Sequence, residues 1–356
     1  MSDSRIPGPE NAIIPRQHEC AEPHRAQALA QAISPDAESL QVLRDRHVLS
    51  MKHFDARTLK QLFRLAAEFE SGARSQQPAR GRILSNVYFD PSRKHTRLSF
   101  NSAWQRLGGS ELNFEPALDE ILRKRHAPME VAEVCSSYSD NAILRTKQRE
   151  EMEEMVRYFR LPVINAGNGS DEHPTHAMAD LYTLFKWRPE LLADEPPAES
   201  KLHIAMAGDP ETTPSLRSLL FGLAQFPRAV ERVVLFGHTN TRLAKEQREY
   251  LETAGLKVEA GAELYPGKSI VGVARAILPE SDLVYICYLH PMHATRMDML
   301  DAVNHMKPGS MVLNPEVQDQ AFSHLLNDSD HNGYFAQARG SVFVRMALFS
   351  AILGAV

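Results

Sequence analysis

The chain of 356 residues is short of most features that declare a function at once. It has three cysteines, Cys20, Cys135 and Cys287, widely separated and without a CxxC or CxxxC spacing. A disulfide framework or cysteine zinc site is therefore not expected, and buried thiols in a reducing cytosol are. No run of about eighteen apolar residues exists, so no membrane-spanning helix is expected. The opening stretch "MSDSRIPGPENAIIPRQHEC" lacks the apolar core of a secretory signal, which points to a cytoplasmic protein. Positive charge is not in excess: 40 Lys and Arg stand against 45 Asp and Glu, for a net charge of −5. That argues against nucleic acid or an anionic membrane as partner, and any cationic site must be local. There is no GxxxxGK[ST] loop, and "AMAGDPETTPS" (205–215) is not the GxGxxG of a dinucleotide fold.

What is present is an alternation of strand and helix patterns. "DARTLKQLFRLAAEFE" offers Asp55 as a cap and sets Leu59, Leu62, Phe63, Ala66 and Phe69 on one face. Apolar runs at 82–89, 111–114, 141–145 and 162–167 read as strands, with helices predicted between them at 97–109, 128–139 and 150–159. A long helix pattern at 176–192 leads into "LADEPPAES" (192–200), an acidic Pro–Pro linker. A second series follows, with strands predicted at 201–208, 231–237, 257–261, 282–289 and 310–315, and an apolar helix at 341–356. The expectation is an α/β fold of two doubly wound parallel-sheet domains. Their bounds are expected at 46–185, completed by a C-terminal helix at 340–356, and at 186–339. Residues 1–45, polar and proline-rich, are expected to form an irregular extension. In open sheets of this kind ligands bind outside the carboxyl ends of the strands, here in the cleft between the domains.

Two stretches carry chemistry. In "YFDPSRKHTRLSF" (88–100) a strand hands over to a helix through Ser92, Arg93, Lys94, His95, Thr96 and Arg97. Unpaired N–H groups and the positive dipole end of a helix start, joined by hydroxyls and guanidinium groups, make an anion site suited to phosphate. The competing reading is a solvated basic turn. In "NAGNGSDEHPTHAMADLY" (165–182) a glycine-rich turn leads into a helix beginning near Pro174. His173 stands at that helix start, where the dipole favours a neutral imidazole that can donate to a carbonyl. His176 follows one turn later. A metal pair backed by Asp171 or Asp180 and a purely structural pair of capping histidines are the rival readings.

These stretches, with "NAILR" and "GYFAQARGSVFVRMALFSAIL" in the same order, resemble the aspartate/ornithine carbamoyltransferases, and the aspartate branch more closely. The resemblance covers roughly residues 46 to 356. It implies a transferase that binds carbamoyl phosphate in its first domain and an amine or amino-acid acceptor in its second. It implies no metal and no organic cofactor, and a homotrimer with active sites between neighbouring subunits. Residue by residue, Arg145 matches the arginine on the phosphate and carbamoyl oxygens, and His173 the histidine that polarises the carbonyl. Lys124 falls where the family places a lysine reaching into the neighbour's site. Arg345 matches an arginine near the acceptor side. Ser92, Thr96 and Arg97 keep the register of the family's phosphate turn.

The departures from the family pattern are specific. The phosphate turn is one residue longer, with Arg93, Lys94 and His95 in place of Thr-Arg. His-Pro-x-Gln has become His-Pro-Thr-His, so His176 stands for the glutamine on the carbamoyl amide. Pro214 occupies an arginine's place in the Gly-Asp loop, Tyr288 and His290 replace Arg-x-Gln, and "NPEVQ" (314–318) replaces His-Pro-Leu-Pro-Arg. Arg217 and Arg296 are the nearby candidates to grip an acceptor instead. An acidic acceptor without its arginines loses charge-assisted bonds each worth roughly 1.5–3 kcal/mol. The acceptor is therefore expected to differ from aspartate. The alternative is a catalytically silent relative serving as a structural or regulatory subunit, with a possible partner subunit.

Overall fold

The computed structural model describes residues 23–89, 94–113, 127–237, 243–287, 301, 303–315 and 329–356, without the side chains of Lys94, Asn113 and Ala127. Along the first part run α1 (Pro23–Ala32), α2 (Ala56–Glu70), β1 (Ile83–Tyr88), α3 (Lys94–Arg106), β2 (Ser110–Asn113), α4 (Ala127–Tyr138), β3 (Asn141–Thr146), α5 (Arg149–Val156), β4 (Val163–Asn168) and α6 (Pro174–Trp187). The second part comprises β5 (Leu202–Ala207), α7 (Pro214–Leu223), β6 (Val230–Phe236), α8 (Lys245–Thr253), β7 (Val258–Ala260), α9 (Gly261–Leu264), α10 (Ile270–Ile277), β8 (Leu283–Ile286), β9 (Met311–Leu313) and α11 (Tyr334–Ile352).

Strands β1–β4 form one sheet in the order β2-β1-β3-β4, and β5–β9 a second in the order β7-β6-β5-β8-β9. Every pairing is parallel. Parallel strands require crossovers, and the apolar strand runs are buried on both faces accordingly. The chain order reverses at β1/β3 in the first sheet and at β5/β8 in the second. Those switch points are where an open α/β sheet leaves a crevice for a ligand.

One apolar cluster runs from the first sheet to the second, joining Leu84, Ile143 and Ile164 to Leu202, Ile204 and Met206 through α2, α6, α7 and α11. A separate cluster fills the outer face of each sheet. Helix α6 lies at the centre, buried from Ala177 to Lys186. Gly340 lets α11 approach it closely: a Cβ there would stand 3.0 Å from the Tyr182 ring. The polar groups at the far end of α6 are satisfied in place. Glu70 of α2 accepts from the Tyr182 hydroxyl at 2.6 Å and from Lys186 Nζ at 2.8 Å, and Arg339 of α11 stands 3.4 Å away.

Two expectations are corrected. The segment before residue 46 is not irregular throughout. Helix α1 packs on α2 and α6, with Ala26, Leu29 and Ile33 at helical spacing and buried, and a 3₁₀ turn spans Ala37–Leu43, capped by Asp36. The polar composition of 1–45 hid that short apolar stripe. The closing helix starts at Tyr334 rather than near residue 340. Gly340 reads as a boundary in the sequence, but here it serves helix–helix contact.

Removing Lys186 would leave the buried Glu70 carboxylate short of its nearest cation. Lys186→Met is expected to lower unfolding stability by about 3 kcal/mol, with much of it recovered in the Glu70→Gln/Lys186→Met double variant. Urea denaturation of the three variants checks this.

Candidate functional site

Chain ends from both sheets converge on one cavity of about 360 Å³. His95 and Thr96 reach it from the first turn of α3, Arg145 from the end of β3, and His173 and His176 from the start of α6. The opposite wall is built by Pro214 and Ser215 at the start of α7 and by Asn314 and Pro315 just after β9. Tyr334, Gln337, Ser341 and Arg345 of α11 form its floor.

Helix α3 begins at Lys94, three residues before the sequence pattern suggests, so His95, Thr96 and Arg97 form its first turn. The unpaired N–H groups and positive dipole end of that turn therefore open beside the cavity. Arg145 is 7% exposed and donates from Nη1 to the Ala166 carbonyl at 2.5 Å. Gly167 makes this possible. Its φ is +115°, and a Cβ there would lie 2.1 Å from Arg145 Nη1. Register pairs Arg145 with Tyr88 of β1. Burial pushes the Tyr88 phenol up, against the charges of Arg345, Arg145 and Arg97. Arg97 thus acts on Tyr88 and is not among the cavity-lining residues.

His173 is the N-cap residue of α6, but its side chain makes no capping hydrogen bond, so the capping reading does not describe it. Its backbone N–H donates to Ser218 Oγ at 2.9 Å, and that hydroxyl donates to Glu172 Oε2 at 3.3 Å. Glu172 also accepts from Ser50 Oγ at 2.5 Å and the Met51 N–H at 2.9 Å. Burial pushes the Glu172 carboxyl up, while the bonds from Ser50 and Met51 oppose it. Three chain segments thereby fix the start of α6. The imidazole of His173 meets that of His176 edge-on, with centroids 5.3 Å apart.

His176 Nε2 stands 3.6 Å from Asp180 Oδ1 and 3.4 Å from Gln337 Nε2. Asp180 is fully buried and accepts from the Tyr285 hydroxyl at 2.7 Å and from Gln337 Nε2. Burial pushes the Asp180 carboxyl up to about 7, with Tyr285, Gln337 and the charge of Arg345 pulling the other way. Arg345 is 3% exposed, donates to the Ser341 carbonyl at 2.9 Å and stacks 4.5 Å from the Phe100 ring centroid. Burial pulls its guanidinium down to about 10, opposed by Tyr88 and Asp180.

The other candidates from the sequence divide two ways. Arg217 is not among the cavity-lining residues, and its guanidinium faces Asp171 at 3.8 Å. Ser92, Arg93, the Lys94 side chain, Lys124, Tyr288, His290 and Arg296 lie outside the described residues. Among the described residues no three His, Cys, Asp or Glu side chains gather as a metal site would need. Sequence reasoning passed over Tyr88, Glu172, Ser218, Tyr285 and Gln337, and took Asp180 only as a rival metal ligand. The i, i+4 spacing of His176 and Asp180 was a usable signal. The others act across more than a hundred residues or through a polar tip in an apolar run.

Residues 46–186 match the aspartate/ornithine carbamoyltransferase, carbamoyl-P binding domain. The first part of the chain, which carries the β1–β4 sheet, thus resembles that family's carbamoyl-phosphate domain. It is 29% identical to the aspartate carbamoyltransferase catalytic subunit of Saccharophagus degradans over 86% of its own length and 92% of that protein. It is 29% identical to that of Pyrobaculum islandicum over 87% of this chain and 99% of the other. In fold it is similar to Trypanosoma cruzi aspartate transcarbamoylase crystallised with carbamoyl phosphate, at a TM-score of 0.72 and 24% identity, covering 88% of this chain and 97% of that one. The T. cruzi enzyme with aspartate and phosphate gives 0.72 at 23% identity. Two parallel sheets with a closing C-terminal helix are thus the carbamoyltransferase fold.

Gly167→Ala is expected to displace Arg145 and weaken phosphate binding about tenfold or more, measured by calorimetry, with the far-UV circular dichroism unchanged. The Asp180 carboxyl holds its proton more tightly folded than unfolded, so its stabilising contribution is full below pH 3.8 and lost as pH rises to about 7. Chemical denaturation of Asp180→Asn across that range should show a smaller loss of stability with rising pH than the parent chain.

Proposed function

We propose that this protein transfers the carbamoyl group of carbamoyl phosphate to the amine of an amino-acid-like acceptor other than aspartate. The observation that carries this reading is the convergence of the α3 start, Arg145 and His173 on one cavity between the strand ends of two sheets. On this reading residues 46–185 with the closing helix bind carbamoyl phosphate, and 186–339 bind the acceptor. Arg145 and the first turn of α3 hold the phosphate oxygens. His173 donates to the carbamoyl oxygen as it gains negative charge under attack. The C–N bond forms, the C–O bond to phosphate breaks, and phosphate leaves with the electron pair. The protein works as a cytoplasmic homotrimer in which Lys124 and the Ser92–Lys94 turn complete the neighbouring or own site.

The chemistry of the opposite wall supports an acceptor other than aspartate. Pro214, Ser215, Asn314 and Pro315 bring hydroxyl, amide and apolar surface, and among the described residues they bring no cation. Arg217, the nearby candidate cation, faces Asp171 instead. Among the described residues of that wall a dicarboxylate would meet no cation to repay its desolvation.

The test is carbamoyl-phosphate-dependent phosphate release across a panel of amino acids and simple amines, with Arg145→Ala and His173→Ala as controls. Turnover with an acceptor other than aspartate, lost in both variants, is expected. Turnover with aspartate alone would overturn the acceptor, and no turnover or carbamoyl phosphate binding at millimolar ligand would overturn the function.

A further inference from the structure

At His176 the cavity departs from the family pattern with a gain of acid–base chemistry, because imidazole can carry a proton and the glutamine amide cannot. It lines the cavity with 21% of its side chain exposed. Its Nε2 lies 3.6 Å from Oδ1 of Asp180, whose side chain has no exposure. The Gln337 amide spans the pair, donating to Asp180 and standing 3.4 Å from the imidazole. A histidine on a substrate cavity, with one nitrogen toward a buried carboxylate, is an arrangement for moving protons.

We propose that His176, backed by Asp180, accepts the proton that the attacking amine releases during carbamoyl transfer. The inference rests on the carbamoyltransferase reading above. As the amine nitrogen bonds to the carbamoyl carbon it becomes cationic, and one N–H bond must break. The proton goes to the neutral imidazole, the N–H electron pair stays on the nitrogen, and the product is a neutral urea. The imidazolium then hands the proton to the departing phosphate, which returns the site to its starting state.

The charged and titratable groups around the pair suit this cycle. His173 on α6 and His95 on α3 share the cavity with it, as does Arg145 at the end of β3. Tyr285 on β8 holds Asp180 from behind, and Tyr334 and Arg345 face it from α11. Arg345 disfavours a lasting second positive charge, so the imidazolium gives its proton up. Burial brings the Asp180 carboxyl beside it up to about 7, so that group is not fixed as a lasting anion near neutral pH.

The test replaces His176 with the family's glutamine. His176→Gln is expected to lower kcat about a hundredfold with little change in KM for carbamoyl phosphate, and to remove the acid-side fall of kcat near neutral pH. Free imidazole should restore part of the rate of His176→Ala. A His176→Gln enzyme with parental kcat and an unchanged acid limb overturns the proposal, and so does His176→Ala that free imidazole does not rescue. A second arm needs no turnover. Phosphate binding by calorimetry in buffers of different ionisation heat should show proton uptake in the parent chain and less in His176→Gln. Equal uptake overturns the proton-holding pair. If the parent chain turns over no acceptor, the function reading fails, and this second arm still decides the role of His176.

Discussion

A helix buried on nearly every side needs partners for the charged and hydroxyl groups it carries, and the demands of Asp180, Tyr182 and Lys186 on α6 reach across the molecule. The helix lies between α11 and α7, with α2 alongside, in the cluster that links the two sheets. Its far end is neutralised by Glu70 through Tyr182 and Lys186. Its middle is satisfied by Tyr285 and Gln337 on Asp180, which come from the second sheet and the last helix. Its start is held by the Glu172 knot, which reaches back to Ser50 and across to Ser218. Each partner belongs to a different part of the chain. Packing α6 correctly is therefore the same event as assembling the cavity wall that carries His173 and His176.

The electrostatics of the cavity follow from that placement. Arg145, Arg345 and Asp180 are all held at or below 7% exposure, where charge is costly unless shared. Arg145 and Arg345 line the cavity, and Asp180 lies behind it next to His176, so the three are spread around Tyr88 and His176 rather than paired one to one. Such preorganised charge acts on a ligand without having to reorient.

Much of the fold was legible in the sequence because strand-length apolar runs and amphipathic helices alternate cleanly, as parallel sheets demand. Arg145, His173 and His176 were legible because they stand at strand ends and at a helix start. The Asp180–Tyr285–Gln337 contact was not, since it joins residues 105 and 157 apart that no local pattern relates. Helix α1 was hidden by polar composition, and the true start of α11 by Gly340, whose purpose is visible only once Tyr182 is seen against it. Gly167 looks like a turn residue in "NAG", yet what it yields is room for a guanidinium.

Helix α11 has one more consequence. It is encoded last but packs on α2, α3 and α6, some 150 to 290 residues earlier in the chain. During synthesis the first sheet can form and pair its strands, but the part of the apolar surface of α2 and α3 that α11 covers is buried only once residues 334–352 have left the ribosome. Completing the first half thus waits on a contact of very long sequence separation, the kind whose loop-closure cost slows folding.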